Sequence, residues 1–152
     1  MFSINGKLDF HLTPEDVLAQ FGLEPGGRVQ RIIDQKIIDF CQPYVPASPN
    51  RTLEFSAQVS TEIGSGMVVW NTPYAHYQYT GIVYGPNIPV IEDGVLMGWF
   101  SPPGRPKQPT GRELTYDKSQ NPQAGPYWFE RMKADRLNDI LEEARRAVTK
   151  GG

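Results

Sequence analysis

Seven of the fourteen prolines of this chain, Pro86, Pro89, Pro102, Pro103, Pro106, Pro109 and Pro122, fall between Tyr84 and Gly125, and Pro126 follows at once. Proline has no amide to donate and clashes with the preceding helical turn, so neither a helix interior nor a central strand can run through this stretch. The regular core must therefore be built from the segments on either side. Loops longer than about 12–15 residues are uncommon in compact domains unless they serve a function. Inside this one, Val90-Ile91-Glu92-Asp93-Gly94-Val95-Leu96 reads as a hairpin, because Asp-Gly suits a tight turn with two positive-φ positions. Met97, Trp99 and Phe100 then stand as apolar residues at its side, either folded back over a sheet or exposed to a partner.

The flanks carry clear periodicities. Val29, Ile32, Ile33, Ile37, Phe40, Cys41 and Tyr44 recur at spacings of three and four, which predicts an amphipathic helix ended by Pro43, Pro46 and Pro49. A second helix is expected from Tyr127 to about Thr149, with Phe129, Met132, Leu137, Ile140, Leu141, Ala144 and Val148 as its buried stripe. Thr13-Pro14-Glu15-Asp16 marks a short helix start, the threonine capping free amides and the acids facing the positive end of the dipole. Loose alternation over Phe2–Phe10 predicts a strand. Strict alternation of Leu53, Phe55, Ala57 and Val59 with polar neighbours predicts a second one, paired through Ile63-Gly64-Ser65-Gly66 with Met67–Trp70. The expected fold is α+β: an antiparallel sheet packed by two longer helices, with a long Pro/Gly-rich loop or hairpin excursion over 84–125. The whole of 1–152 reads as one domain, and 1–26 as its N-terminal strand and short helix.

Composition narrows the chemistry. A formal charge of -2 supplies no basic footprint for tight binding to phosphates, so nucleic acid is at most a transient contact. One cysteine, Cys41, forbids an intramolecular disulfide and falls on the apolar stripe of the first long helix, where a buried thiol is expected. Met1 to Phe10 hold no basic region followed by an apolar run, and no window reaches the roughly 18 apolar residues of a membrane helix. His11 and His76 are far apart and lack a carboxylate or cysteine at metal-ligand spacing. Glu92 and Asp93 lie in a turn that favours Asp for backbone reasons, and Gly64-Ser65-Gly66 lacks the Gly-Lys-Ser/Thr of a phosphate loop. No catalytic, cofactor-binding or metal site is expected. The aromatic run Tyr74, Tyr77, Tyr79 and Tyr84 could stack on sugars or bases, anchor a protein interface, or pack in the core.

Two segments resemble a known family. Asn71-Thr72-Pro73-Tyr74-Ala75-His76-Tyr77-Gln78-Tyr79-Thr80-Gly81 is similar to a stretch of the minor capsid proteins encoded by tailed phages and prophages of Gram-positive bacteria. Glu113-Leu114-Thr115-Tyr116, followed by Pro122-Gln123-Ala124-Gly125-Pro126-Tyr127-Trp128-Phe129-Glu130-Arg131-Met132-Lys133, resembles the closing signature of that family in the same order. The resemblance spans most of the chain, while the first 25 residues and the loop from Gly85 to Arg112 depart from it. It implies a structural neck component, a head-tail joining or tail completion protein that assembles as a homo-oligomeric ring between portal and tail, without enzyme activity or cofactor. Its place would be the virion, after synthesis in the host cytoplasm, and its partners would be itself and other neck or tail proteins. A tail terminator or head-closure protein is the nearest alternative. A small carbohydrate- or nucleotide-binding module is the alternative of another class. Tyr79, Tyr84, Trp99, Phe100 and Arg105 are the expected contact residues.

Overall fold

The computed structural model describes residues 13–48 and 50–151, so the strand expected over Phe2–Phe10 and His11 lie outside the described residues. The elements run α1 (Pro14–Gln20), α2 (Arg28–Cys41) continued by a 3-10 turn over Gln42–Tyr44, α3 (Thr52–Ser60), α4 (Ala75–Thr80), β1 (Ile82–Gly85), β2 (Ile88–Glu92), β3 (Val95–Phe100), β4 (Gln108–Glu113) and α5 (Trp128–Lys150). The class is α+β, as expected, but much of the strand assignment moves.

Helices α2 and α5 pack against each other and supply most of the core. Trp128, Met132 and Ile140 of α5 meet Cys41, Tyr44 and Val45 at the end of α2, with Leu53 and Ala75 closing the cluster. Ile33, Ile37 and Phe40 flank it, half-buried. Each large apolar side chain fully removed from water here contributes roughly 1.5–3 kcal/mol, which gives this small cluster most of the stabilising burial. Polar ties close the far side. The Tyr44 hydroxyl donates to Asp135 at 2.7 Å, and the Arg131 guanidinium lies over the Tyr44 ring while donating to the carbonyls of Pro126 and Gln123.

The start of α1 is as read: Thr13 Oγ1 accepts the Asp16 amide and the Asp16 carboxylate accepts the Thr13 amide, a reciprocal cap behind a proline at the first turn. These hydrogen bonds hold the exposed Asp16 carboxyl below its ordinary range.

Residues Thr52–Ser60, expected as a strand, are the helix α3. The alternation of Leu53, Phe55, Ala57 and Val59 fits a strand face, yet the buried residues are Leu53, Glu54, Ser56 and Ala57, while Phe55 is exposed and Val59 is 84 % exposed. Over nine residues both periods can be satisfied, and Leu, Glu, Ala and Gln favour the helix once Leu53 and Ala57 have a cluster to join. Met67–Trp70 correspondingly forms no strand, its Val69 backbone tied instead to the Thr61 hydroxyl.

The turn expected at Ile63–Gly66 does form, and a buried carboxylate holds it. Asp34 is buried on α2, where its Oδ2 accepts the amides of Gly64 at 2.7 Å and Gly66 at 3.1 Å, and its Oδ1 accepts the Gln30 amide group. Gly64 and Gly66 both have positive φ, which lets the two amides converge on one oxygen.

The strands all come from the proline-rich excursion and its edges. β1 pairs antiparallel with β4, and β2 with β3, as two separate two-stranded sheets. Because β2 and β3 lie between β1 and β4 in sequence, the outer pair forms a stem that closes the excursion and presents the inner hairpin beyond it.

Candidate interaction surface

The segments that carry the family resemblance meet at the root of the stem and serve packing. Gly81 caps α4 with positive φ, and a Cβ there would stand 2.9 Å from the Pro126 side chain. The Tyr127 amide donates to the Tyr79 carbonyl at 2.9 Å, the Leu114 amide to the Gly81 carbonyl at 2.8 Å, and the Tyr116 hydroxyl to the Gln78 carbonyl at 2.6 Å. Tyr79 stacks edge-on against Trp128 with ring centres 4.6 Å apart, and its hydroxyl donates to Glu130. Burial first, and then the Glu130 carboxylate, push the Tyr79 phenol well above its ordinary value. Burial likewise raises the Tyr116 phenol, and it pushes the Cys41 thiol, buried as expected, up to about 12, with Glu130 adding to the effect. A thiol so held is an inert core group rather than a nucleophile.

Beside this hub runs a groove of about 570 Å³, lined by Tyr74, Tyr77, Gln78 and Tyr84 on one side and by Asn87, Trp99 and Lys107 among others. Tyr77 and Tyr84 pack with ring centres 4.7 Å apart, and His76 lies against both. Lys107, which the sequence pattern did not single out, reaches this aromatic wall through the fold and donates to the Pro86 carbonyl at 2.9 Å and to the Asn87 side chain.

The hairpin is the most exposed apolar feature among the described residues. Asp93 and Gly94 take φ of 50° and 79°, the two positive values the tight turn requires. Every β2 residue is exposed, as are all β3 residues but Gly98. Ile88 pairs with Phe100, Pro89 with Trp99, Val90 with Gly98, Ile91 with Leu96 and Glu92 with Val95, leaving Met97 as the extra residue of a bulge. Cross-strand partners share a face and alternate residues along a strand share one too. One face therefore carries Pro89, Ile91, Leu96 and Trp99 and is apolar throughout, while the other carries Ile88, Val90, Val95 and Phe100 with Glu92 at its turn end. An isolated two-stranded hairpin is marginally stable in water, and its two open edges present unpaired backbone groups.

Of the expected contact residues, Trp99 and Phe100 stand on this hairpin, Arg105 is exposed on the loop after it, Tyr84 walls the groove, and Tyr79 turns inward to the hub. On α5 the expected buried stripe needs correcting: Trp128, Met132, Ile140 and Ala147 are buried, whereas Leu137 and Leu141 are each 41 % exposed. A helix that packs on one neighbour covers one stripe only, and the period that marks Leu137 and Leu141 as apolar does not say whether anything covers them.

Comparison with family models, with characterised proteins and with solved structures returns no match to this chain. Among the described residues, no helix is long and apolar enough to cross a membrane.

Proposed function

We propose that this chain is a structural neck component of a tailed-phage virion, a head-tail joining protein that assembles as a ring between the capsid's portal complex and the tail, with the β2–β3 hairpin as its contact arm. The observation that supports this reading most is the hairpin itself. Its apolar residues face outward on both sides, where a hairpin folded back over the body would have buried one of them. The stem and the prolines of the excursion limit the conformations open to the arm, which lowers the entropy lost when it docks.

The test is reconstitution. Purified protein is added to filled capsids that carry a portal but lack neck proteins, and joining to tails is scored by negative-stain microscopy. Wild-type protein completes the joint, while a chain carrying Ile91→Ser and Trp99→Ser folds normally and fails. A protein that is strictly monomeric and never adds to capsids or tails overturns the reading. Uptake by capsids alone or by tails alone separates a head-closure protein from a tail terminator.

A second reading, a small carbohydrate- or nucleotide-binding module, draws on the groove where Tyr77, Tyr84, Trp99 and Lys107 converge. Lys107 already gives two of its three N–H donors to the Pro86 carbonyl and the Asn87 side chain, which leaves one for a phosphate. A sugar or nucleotide bound to the folded state at 100 times its Kd would stabilise it by about 2.7 kcal/mol, readily seen as a raised Tm.

A further inference from the structure

Among the described residues, the outer stripe of α5 and the hairpin face of Pro89, Ile91, Leu96 and Trp99 are two of the apolar surfaces left open. On α5, Leu137 and Leu141 flank the buried stripe of Met132 and Ile140 on its solvent side, each 41 % exposed, and Arg145 follows one turn further along the same line. Side chains four apart on a helix repeat every 6 Å or so along its axis. Alternate residues on a strand repeat at about 6.6 Å, so the steps from Trp99 and Pro89 to Leu96 and Ile91, and on to the turn, keep register with Leu137, Leu141 and Arg145.

The charges also match. Glu92 and Asp93 at the tip are the only charged residues between Ile88 and Gly104; Glu92, paired with Val95, belongs to the opposite face, and Asp93 follows Ile91 by two residues in the turn. Arg145 is exposed and, among the described residues, has no ion-pair partner, with Lys150 close behind it at the same end of the helix.

We propose that the hairpin face receives α5 of a second copy of this chain, with Trp99 over Leu137, Ile91 and Leu96 over Leu141, and Asp93 of the turn against Arg145. This rests on the reading of the hairpin as a contact arm and names what the arm holds. Two different surfaces of one chain meet in such a contact, which makes it heterologous: repeated head to tail, it closes into a ring or runs into a filament.

The test is the self-association of the full chain, followed by sedimentation velocity across a dilution series. Wild-type protein associates, and high salt weakens the association because the tip contact is charged. Asp93→Lys weakens it at least tenfold, as does Arg145→Glu, and the two together restore it, while Glu92→Gln on the opposite face leaves it unchanged. Leu141→Ser, at an exposed position, weakens association while leaving the far-ultraviolet spectrum unchanged. A wild-type chain that stays monomeric at high concentration overturns the proposal, and so does a combined variant no better than its parents. A monomer that still joins capsids to tails leaves the neck reading standing and sinks the second copy as occupant. Charge-swap rescue in a protein that never joins them does the reverse.

Discussion

Trp128 and Trp99 carry the same side chain in opposite circumstances, one 1 % exposed at the start of α5 and the other 64 % exposed on the hairpin. Around Trp128, helices, turn and hub converge so that its indole packs edge-on against Trp70 and Tyr79. Around Trp99 there are two strands and water on most sides. The contrast shows that hydrophobic character alone does not mark the core of this protein. Burial depends on how many elements reach a residue, and the proline-rich excursion holds its apolar residues beyond the reach of α2 and α5. Stability is therefore concentrated in the helical body, and the free energy available for association in the arm.

That division can be broken at several points. The largest effect is expected from Trp128→Ala, which empties the centre of the cluster and costs roughly 3–5 kcal/mol by thermal or urea denaturation. A cost below about 1 kcal/mol there would mean that the body is not the stabilising half. Asp34→Ala comes next: it strands the amides of Gly64 and Gly66 without an acceptor, at roughly 1–3 kcal/mol for each that remains buried. Asp34→Asn, which retains one acceptor oxygen, should recover part of that loss.

The hub can be probed by pH. Because the Tyr79 phenol is raised above the ordinary tyrosine value of 10.0, the folded state favours its neutral form. That contribution to stability is complete below the ordinary value and is lost as pH rises through the higher folded one. Tyr79→Phe should therefore remove part of the alkaline fall in Tm while costing about 1 kcal/mol or less at neutral pH. An alkaline limb identical in the two proteins would detach Tyr79 from the stability of the hub.

The smallest change in stability belongs to the arm. Ile91→Ser and Trp99→Ser should each shift the unfolding free energy by no more than about 0.5 kcal/mol, as expected for exposed positions. If either costs as much as a core truncation, the hairpin is packed against the body in solution and the comparison fails.

Much of the architecture was legible in the chain. Pro43 and Pro46 predicted the end of α2, Thr13 and Pro14 the start of α1, and Asp93-Gly94 the hairpin turn, because each acts through backbone geometry confined to a few residues. The candidate surface was half legible. Trp99 and Phe100 stood out as apolar residues in a region unable to form a core, but Leu137 and Leu141 were indistinguishable from buried neighbours on the same helix. Lys107 joins Tyr77 and Tyr84 in one groove only because β4 folds back on β1, a pairing between residues distant along the chain.

What this sequence determined by itself is where regular structure starts, stops and turns, since proline, glycine and capping side chains impose those features locally. Tertiary structure alone decided that Thr52–Ser60 is a helix, that Asp34 lies inside, that Tyr79 faces the hub, and which apolar residues of α5 stay uncovered. Each of those outcomes depends on which distant element comes to lie alongside, and a periodicity states only that a face exists.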